Sequence, residues 1–352
     1  MSRAERRKEE KQRKNRALKI FLRIILVIII IIVILLGVAF AFVNSKFSKM
    51  QQVDINEEDL GISEETKENL SGFRNIALFG VDSRDNNLDK GNRSDCIIIA
   101  SINQETGEVR LVSVYRDTYV EIEGHGLDKI THAYSYGGPE LALKTLNKNL
   151  DLNITEFVTV NFDAVADAVN ALGGITIDVE QNEIQYLNSY LDETAKVTGL
   201  DTSRVTKAGK QTLDGVQAVA YSRIRYTAGG DYKRTERMRT VIEAMFDKIK
   251  TKSIGEINEF ADEILPKIYT NINVGEVLGL IPTALNFKIS DSIGWPYETK
   301  GITLDRWYGV PVTLESNVVD LHKEVFGEED YTASSDVKNI SDKIINKTGY
   351  NK

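Results

Sequence analysis

From residue 72 onward, short apolar runs alternate with polar turns and with segments whose apolar residues recur every three or four positions. By that pattern Gly72 to Val81 (GFRNIALFGV) is a buried strand, and the run CIIIASIN from Cys96 is a second. Glu105-Thr106-Gly107-Glu108 reads as a hairpin turn into a third strand, Val109 to Tyr115. Gly137-Gly138-Pro139 opens a helix to about Leu150, with proline near the first helical position. A strand over Phe157 to Asn161 follows, then a helix over Asp163 to Leu172 closed by Gly173-Gly174, then a short strand, Ile175 to Val179. Residues 181–214 are polar without periodicity and read as a long lid or rim. Ala218 to Tyr226 reads as a strand, Gly229-Gly230 as a turn, and Met238, Val241, Ile242, Met245, Phe246 and Ile249 as one face of a helix that Asp231 can start. Helical patterns over 254–268 and 274–284, a short strand around Trp307 to Val312 and a polar tail complete the chain. Strands interleaved with helices predict an α/β fold.

The N-terminus changes the picture. Residues 1–23 carry ten Lys or Arg and three Glu, and Ile24 to Val43 then run for twenty residues without charge or proline. Twenty residues at helical rise span the roughly 30 Å hydrocarbon core of a bilayer. Ala39-Phe40-Ala41 has the form of a cleavage site, but the apolar run exceeds the ~7–15 residues of a signal-peptide core. The expectation is an uncleaved transmembrane helix over 24–43, with residues 1–23 a basic cytoplasmic tail and the rest outside the cytoplasmic membrane. Residues 44–71, polar and acidic, read as an extracytoplasmic stalk, partly helical, or else as a helix packed on the domain. The chain carries a net charge of −8; the first 43 residues hold ten cations and three anions, so residues 44–352 carry −15. An outer part that acidic excludes a general nucleic-acid binder.

Against that background Tyr221 to Val241 (YSRIRYTAGGDYKRTERMRTV) concentrates Arg223, Arg225, Lys233, Arg234, Arg237 and Arg239, with only Asp231 and Glu236 opposing them. Arg223 and Arg225 would share one face of a strand, and Arg234 and Arg237 would sit on neighbouring turns at a helix start. Guanidiniums and the free N–H groups of a helix N-terminus are what a phosphate needs. Three strand ends also carry charge: Asp82 closes the first strand, Asp95 opens the second and Arg116 follows the third. If the first two strands are neighbours, both carboxylates lie at one sheet edge. Such a pair, with hydroxyls near and no Cys or His, suits a hard cation such as Mg²⁺ or Mn²⁺; otherwise the two aspartates only cap turns. The chain has no phosphate-loop motif, no H-E-x-x-H and no G-x-S-x-G. His125, His132 and His322 are scattered, and His132 reads as a strand-end or loop residue without a partner. The lone Cys96 excludes an internal disulfide and reads as a core residue.

NIALFGVDSR, NRSD before an Ile-rich strand, VRLVSVYRD, DKITHAYSYGG, LDGVQAVAYSRIRY and GGDYKRTERMR, in this order behind one N-terminal anchor, resemble the LytR-CpsA-Psr family. The resemblance is close over roughly 72–250 and loose beyond. It implies a three-layer αβα fold with a mixed central β-sheet, a catalytic domain over 72–250 and a C-terminal helical extension over 251–352, packed on that domain or following it. It implies an extracytoplasmic phosphotransferase that attaches an undecaprenyl-diphosphate-linked glycopolymer, of teichoic acid or capsular polysaccharide type, to peptidoglycan. By motif position it implies Asp82 and Asp95 as Mg²⁺ (or Mn²⁺) carboxylates, with Asp82, Asp95 and Arg116 catalytic. Arg84, Arg93, Arg116, Lys129, Arg223, Arg225, Arg234, Arg237 and Arg239 form the implied diphosphate shell. Arg237-Met238-Arg239 departs from the Arg-Gln-Gln or Arg-Gln-Arg of many members, which bears on Arg239. Asp82, Asp95 and Asp231 are all candidates for the base. The expected partners are the polyprenyl-diphosphate-linked glycan, peptidoglycan and the bilayer, with no nucleic acid. Two other readings use the same residues: a polyprenyl-diphosphate pyrophosphatase, and a non-catalytic polyprenyl-lipid-binding regulator of the envelope.

Overall fold

Runs such as Ile97-Ile98-Ile99-Ala100 lack polar alternation because the strand they form is covered on both faces. The computed structural model describes residues 41–83, 87–273, 275–276 and 287–351. Its first half comprises β1 (Gln51–Gln52), the short α1 (Glu64–Asn69), β2 (Phe73–Val81), β3 (Ser94–Asn103), β4 (Glu108–Val114), β5 (Tyr119–Ile122), β6 (Gly126–Lys129), α2 (Thr131–Leu150), β7 (Glu156–Asn161), α3 (Phe162–Ala171) and β8 (Ile175–Val179). Then come α4 (Ile184–Thr198), β9 (Gly209–Leu213), α5 (Gly215–Ser222), α6 (Gly230–Ile249), α7 (Ile254–Ile264), β10 (Tyr269–Thr270), β11 (Lys288–Ile289), β12 (Ile293–Trp295), β13 (Thr299–Thr303), β14 (Trp307–Pro311), α8 (Leu314–Leu321) and α9 (Ser335–Thr348).

The central sheet is mixed, in the order β1-β10-β7-β2-β3-β4-β11, with β12 also on β4. β2 and β3 are antiparallel neighbours, whereas β2 and β7 run parallel. Ala77, Phe79, Ile97, Ile99 and Val112 face a core completed by α2, α8 and α9. Ile76, Ile98, Ala100, Ile102 and Leu111 face the other side, where Ile242 of α6 packs. Helices on both faces of a mixed sheet are the expected layering. A separate core gathers the β8–β9 hairpin with α4 and α5.

Several boundaries differ from expectation. Ala218 to Tyr226 is not a strand: residues 215–222 are helical, and Arg223 is the C-cap. All eight residues of α5 are buried, so its apolar run has no helical stripe to betray it. The deciding signal is the capping box, in which Asp214 Oδ1 accepts from Gln217 N at 2.8 Å and Gln217 Oε1 from Asp214 N at 3.0 Å. Arg223 and Arg225 therefore do not share a strand face. The segment 181–214 is not irregular; α4 buries Leu187 and Leu191 against the second core, and β9 pairs with β8. The end of the chain is not a loose tail: Val337, Ile340 and Ile344 of α9 lie in the same core as β2, so 251–352 is woven into the domain. Residues 50–71 do not stand off as a stalk. Gln51 and Gln52 pair with β10, and Leu60 and Leu70 are fully buried.

Contacts divide the chain into Met1–Lys49 and Met50–Lys352. In the first unit, residues 41–47 are helical. Residues 24–40 of the expected transmembrane helix lie outside the described residues, as does most of the expected helix over 274–284. Among the described residues no helix is long and apolar enough to cross a membrane.

Candidate active site

The arginines converge on Asp231. Gly229 and Gly230 hold φ of 93° and 52°, left-handed conformations that glycine adopts without penalty, and this turn delivers Asp231 into the first turn of α6. There Arg234 Nη2 donates to Asp231 Oδ2 at 2.9 Å. Arg225 Nε lies 3.6 Å from Oδ1, and Arg116 Nε 4.0 Å from Oδ2. Arg116 reaches in from the end of β4, where its Nη1 donates to Asp95 Oδ1 at 2.7 Å. Its Nε stands 3.7 Å from Asp117 Oδ2, and Asp117 Oδ1 accepts from Lys129 Nζ at 2.6 Å. One linked array thus joins Asp95, Arg116, Asp117, Lys129, Arg225, Asp231 and Arg234.

The array has more donors than acceptors. Arg234 is buried to 2 % exposure, yet among the described residues its Nε has no hydrogen-bond partner, and neither has Nε of Arg116. A buried cationic donor without an acceptor is costly, so the site is short of negative oxygen. Burial works against the charge on Arg116, but Asp95, Asp117 and Asp231 outweigh it and raise its pKa. Burial pushes the pKa of Asp231 up, against the pull of Arg116 and Arg225 and with help from Asp117 and Asp95.

β2, which leads into Asp82, and β3, which carries Asp95, are antiparallel neighbours in the sheet. Val81 pairs with Ser94 across an irregularity in the β2–β3 ladder, so Asp82 lies just past the end of β2 and Asp95 is the extra residue at the start of β3, both at one end of the sheet. Asp82 is exposed, and Asp95 is held by Arg116. Among the described residues no group of three or more His, Cys, Asp or Glu forms a ready-made metal cage. The donors here are all oxygen and number two carboxylates, which fits Mg²⁺, a cation that keeps most of its shell for water and phosphate. Asp82 and Asp95 are the two residues that could hold such an ion.

Not every expected contact joins the array. Arg237 is 1 % exposed and its nitrogens are spent inside the protein: Nε on Glu183 Oε1 at 2.7 Å, Nη1 on Ile224 O at 3.0 Å and Nη2 on Thr227 Oγ1 at 2.7 Å. It clamps the loop that carries Arg225, and its place in the diphosphate shell is corrected to that of a positioning residue. Arg223 turns to α4, where Glu193 and Thr194 each accept at 3.0 Å and Phe162 and Tyr190 flank its guanidinium. Arg239 lies near Tyr115 and Cys96 and lines a separate cleft of about 850 Å³ along α6; among the described residues its Nη1 is unpartnered, and burial lowers its pKa. Arg93 is exposed two residues before Asp95, and Arg84 lies outside the described residues.

Sequence reasoning missed Asp117, Glu183 and the partner of His132. Asp117 could have been found, since it directly follows Arg116. Glu183 carried no signal in a segment read as irregular. His132 is in α2, not a loop, and pairs through Nδ1 with Asp128 Oδ2 at 2.8 Å, four residues earlier. Tyr136 OH donates to the same oxygen at 2.8 Å.

The sequence profile of the LytR_cpsA_psr family matches residues 38–299. A polyisoprenyl-teichoic acid–peptidoglycan teichoic acid transferase TagT of Bacillus subtilis (strain 168) is 34% identical over 235 residues, 64% of this chain and 70% of that protein. A TagU of Enterococcus faecalis carrying the same activity in its name is 35% identical over 227 residues, 64% of each chain. Among solved structures, TagT with bound octaprenyl pyrophosphate lipid matches with a TM-score of 0.52 at 26% identity, covering 80% of this chain and 92% of that one. An Enterococcus faecalis protein described as a transcriptional regulator matches with a TM-score of 0.60 at 25% identity, covering 80% and 97%.

Proposed function

The chain belongs to the LytR-CpsA-Psr family, and on that premise we propose that it is a membrane-anchored, extracytoplasmic phosphotransferase that joins a polyprenyl-diphosphate-linked glycopolymer to peptidoglycan. The observation that carries the reading is the shortage of acceptors around Arg116 and Arg234, with Arg225 half-exposed beside them. A diphosphate supplies the missing oxygens, and planar guanidiniums grip it in forks. Relatives named as teichoic acid transferases, and one bound to octaprenyl pyrophosphate, support the same assignment.

The reaction follows from charge. A peptidoglycan hydroxyl attacks the glycan-bearing phosphorus. The new O–P bond forms as the bond to the lipid-side phosphate breaks, and polyprenyl phosphate leaves. Negative charge spreads over the phosphate oxygens, and fixed cations facing them lower the barrier. Asp82 and Asp95 would hold Mg²⁺, which when bound supplies further neutralisation of those oxygens. Of the three candidate carboxylates we assign the hydroxyl proton to Asp231, whose proton affinity burial raises beside the arginines. An arriving diphosphate shares the charge of Arg116, Arg225 and Arg234 with it and adds negative charge beside it. Both effects raise its proton affinity, already lifted by burial. The base strengthens when its substrate is in place.

Two measurements test this. The full chain in detergent, given a polyprenyl-diphosphate oligosaccharide and peptidoglycan fragments, is expected to yield a phosphodiester-linked product with Mg²⁺ and none with chelator. Free phosphorylated sugar alone would replace the reading with hydrolysis, and bound lipid that never turns over would replace it with a lipid-binding regulator. The pH profile tests the base. Asp231 must be unprotonated to act, so kcat/KM falls as pH drops through its raised pKa. Asp231→Asn is expected to lose about 10²–10⁴-fold in rate, together with that acid limb. An unchanged limb in the variant would move the proton to another group.

A further inference from the structure

A saccharide joined to the phosphate at the arginine array, or approaching it, needs contacts of its own. Beside the array is a cleft of about 220 Å³ whose walls include Tyr115, Tyr232 and Trp307 together with Asp117, Asp231 and Thr299. Asp117 and Asp231 belong to both the cleft and the array, so the two spaces are continuous.

The aromatic wall is fixed and open. Tyr115 and Tyr232 meet edge to face with centroids 4.4 Å apart, and Tyr232 OH bonds to Thr299 Oγ1 at 2.7 Å, tying α6 to β13. Trp307 lies against Gly301 of the paired strand, where an added Cβ would come within 2.9 Å of its indole nitrogen. Gly309 N donates to Asp117 O at 3.0 Å, which fastens the β13–β14 hairpin to the loop after β4. Held this way, Trp307 is still 45% exposed and Tyr232 40%. Large aromatic faces kept bare next to a catalytic array call for a partner.

We infer that this cleft is a saccharide subsite that seats one pyranose ring of the glycan substrate; the inference rests on the transferase reading. A pyranose offers an apolar C–H face to an aromatic ring and hydroxyl donors to acceptors. The cleft provides both: indole and phenol faces, and the carboxylates of Asp117 and Asp231. Those carboxylates also repel a further phosphate, so the diphosphate stays with the arginines and the sugar turns into the cleft. The volume is below the ~300–1,000 Å³ of pockets for drug-sized ligands and suits a single ring.

The chain has two tryptophans. Trp295 is fully buried, its indole N–H donating to Asn317 O at 2.9 Å, so acrylamide quenching of the full chain in detergent reports on Trp307. Three probes are compared: octaprenyl diphosphate, a polyprenyl-diphosphate disaccharide, and peptidoglycan glycan fragments without diphosphate. Saccharide-bearing probes are expected to cut the quenching constant at least about twofold. Protection by the lipid-linked sugar identifies the ring as the donor's, and protection by glycan fragments alone as the acceptor's. Trp307→Ala is expected to weaken that saccharide probe about tenfold while octaprenyl diphosphate binds as before. Equal protection by octaprenyl diphosphate, or protection by none of the three, overturns the inference. If a saccharide protects Trp307 but no ligated product forms, the transferase reading fails and the subsite stands.

Discussion

Arg116→Lys is expected to lower kcat for ligation by about 10²–10³-fold, the size of effect seen when one oriented donor to a developing oxyanion is lost. The positive charge survives the substitution, so bulk electrostatics alone predicts little change. What is lost is shape. Arg116 bonds to Asp95 through Nη1 at 2.7 Å while its Nε faces Asp117 and Asp231 at 3.7 and 4.0 Å. One planar group therefore connects the sheet edge that carries Asp95 to the helix start that carries Asp231. An ammonium holds a single point in that span and cannot reproduce the fork. Arg116→Met should be worse, because it leaves three carboxylates around an uncharged chain and discourages any anion from entering. The check is kcat and KM for ligation in both variants, with thermal unfolding to confirm the fold. A lysine variant at the wild-type rate would reduce Arg116 to a counter-charge.

How much of this site was legible in the sequence depends on whether the signal was local. Asp82 and Asp95 flank two apolar runs long enough to be strands; whether those strands were neighbours stayed open in the sequence, and the Val81–Ser94 pairing answers it. Asp231 behind two glycines at a helix start was equally readable, because capping chemistry is written in a few adjacent residues. Arg223 and Arg225 were misplaced since α5 is apolar on every side, and an all-buried helix and a buried strand share one pattern. Its capping box, Asp214 with Gln217, was the overlooked local cue. Contacts made over distance left no trace. Nothing near Glu183 announces that it pairs with Arg237, and nothing near Trp307 places it beside Asp117.

Arg237 shows how an arginine run can hold two kinds of residue. Arg234 and Arg237 sit three apart on α6, and both are almost wholly buried. Among the described residues Arg234 keeps a donor without an acceptor, whereas Arg237 has a bonded partner for each nitrogen. The first is available to a ligand; the second holds the backbone of Ile224 and the side chain of Thr227, and so sets where Arg225 points. Arg237→Met is accordingly expected to act on stability, at a cost of about 3–5 kcal/mol, because it strands Glu183 as an unpaired buried carboxylate. In a domain of this size that is a fall in Tm on the order of 10 °C. The double variant Arg237→Met with Glu183→Met removes both charges and should recover much of the loss, since a buried ion pair replaced by apolar side chains is often close to neutral. Recovery of Tm without recovery of diphosphate affinity would separate the two roles, with Arg225 then misdirected by a loop that has lost its clamp. A single variant that melts like the wild type but no longer binds octaprenyl diphosphate would return Arg237 to the ligand shell.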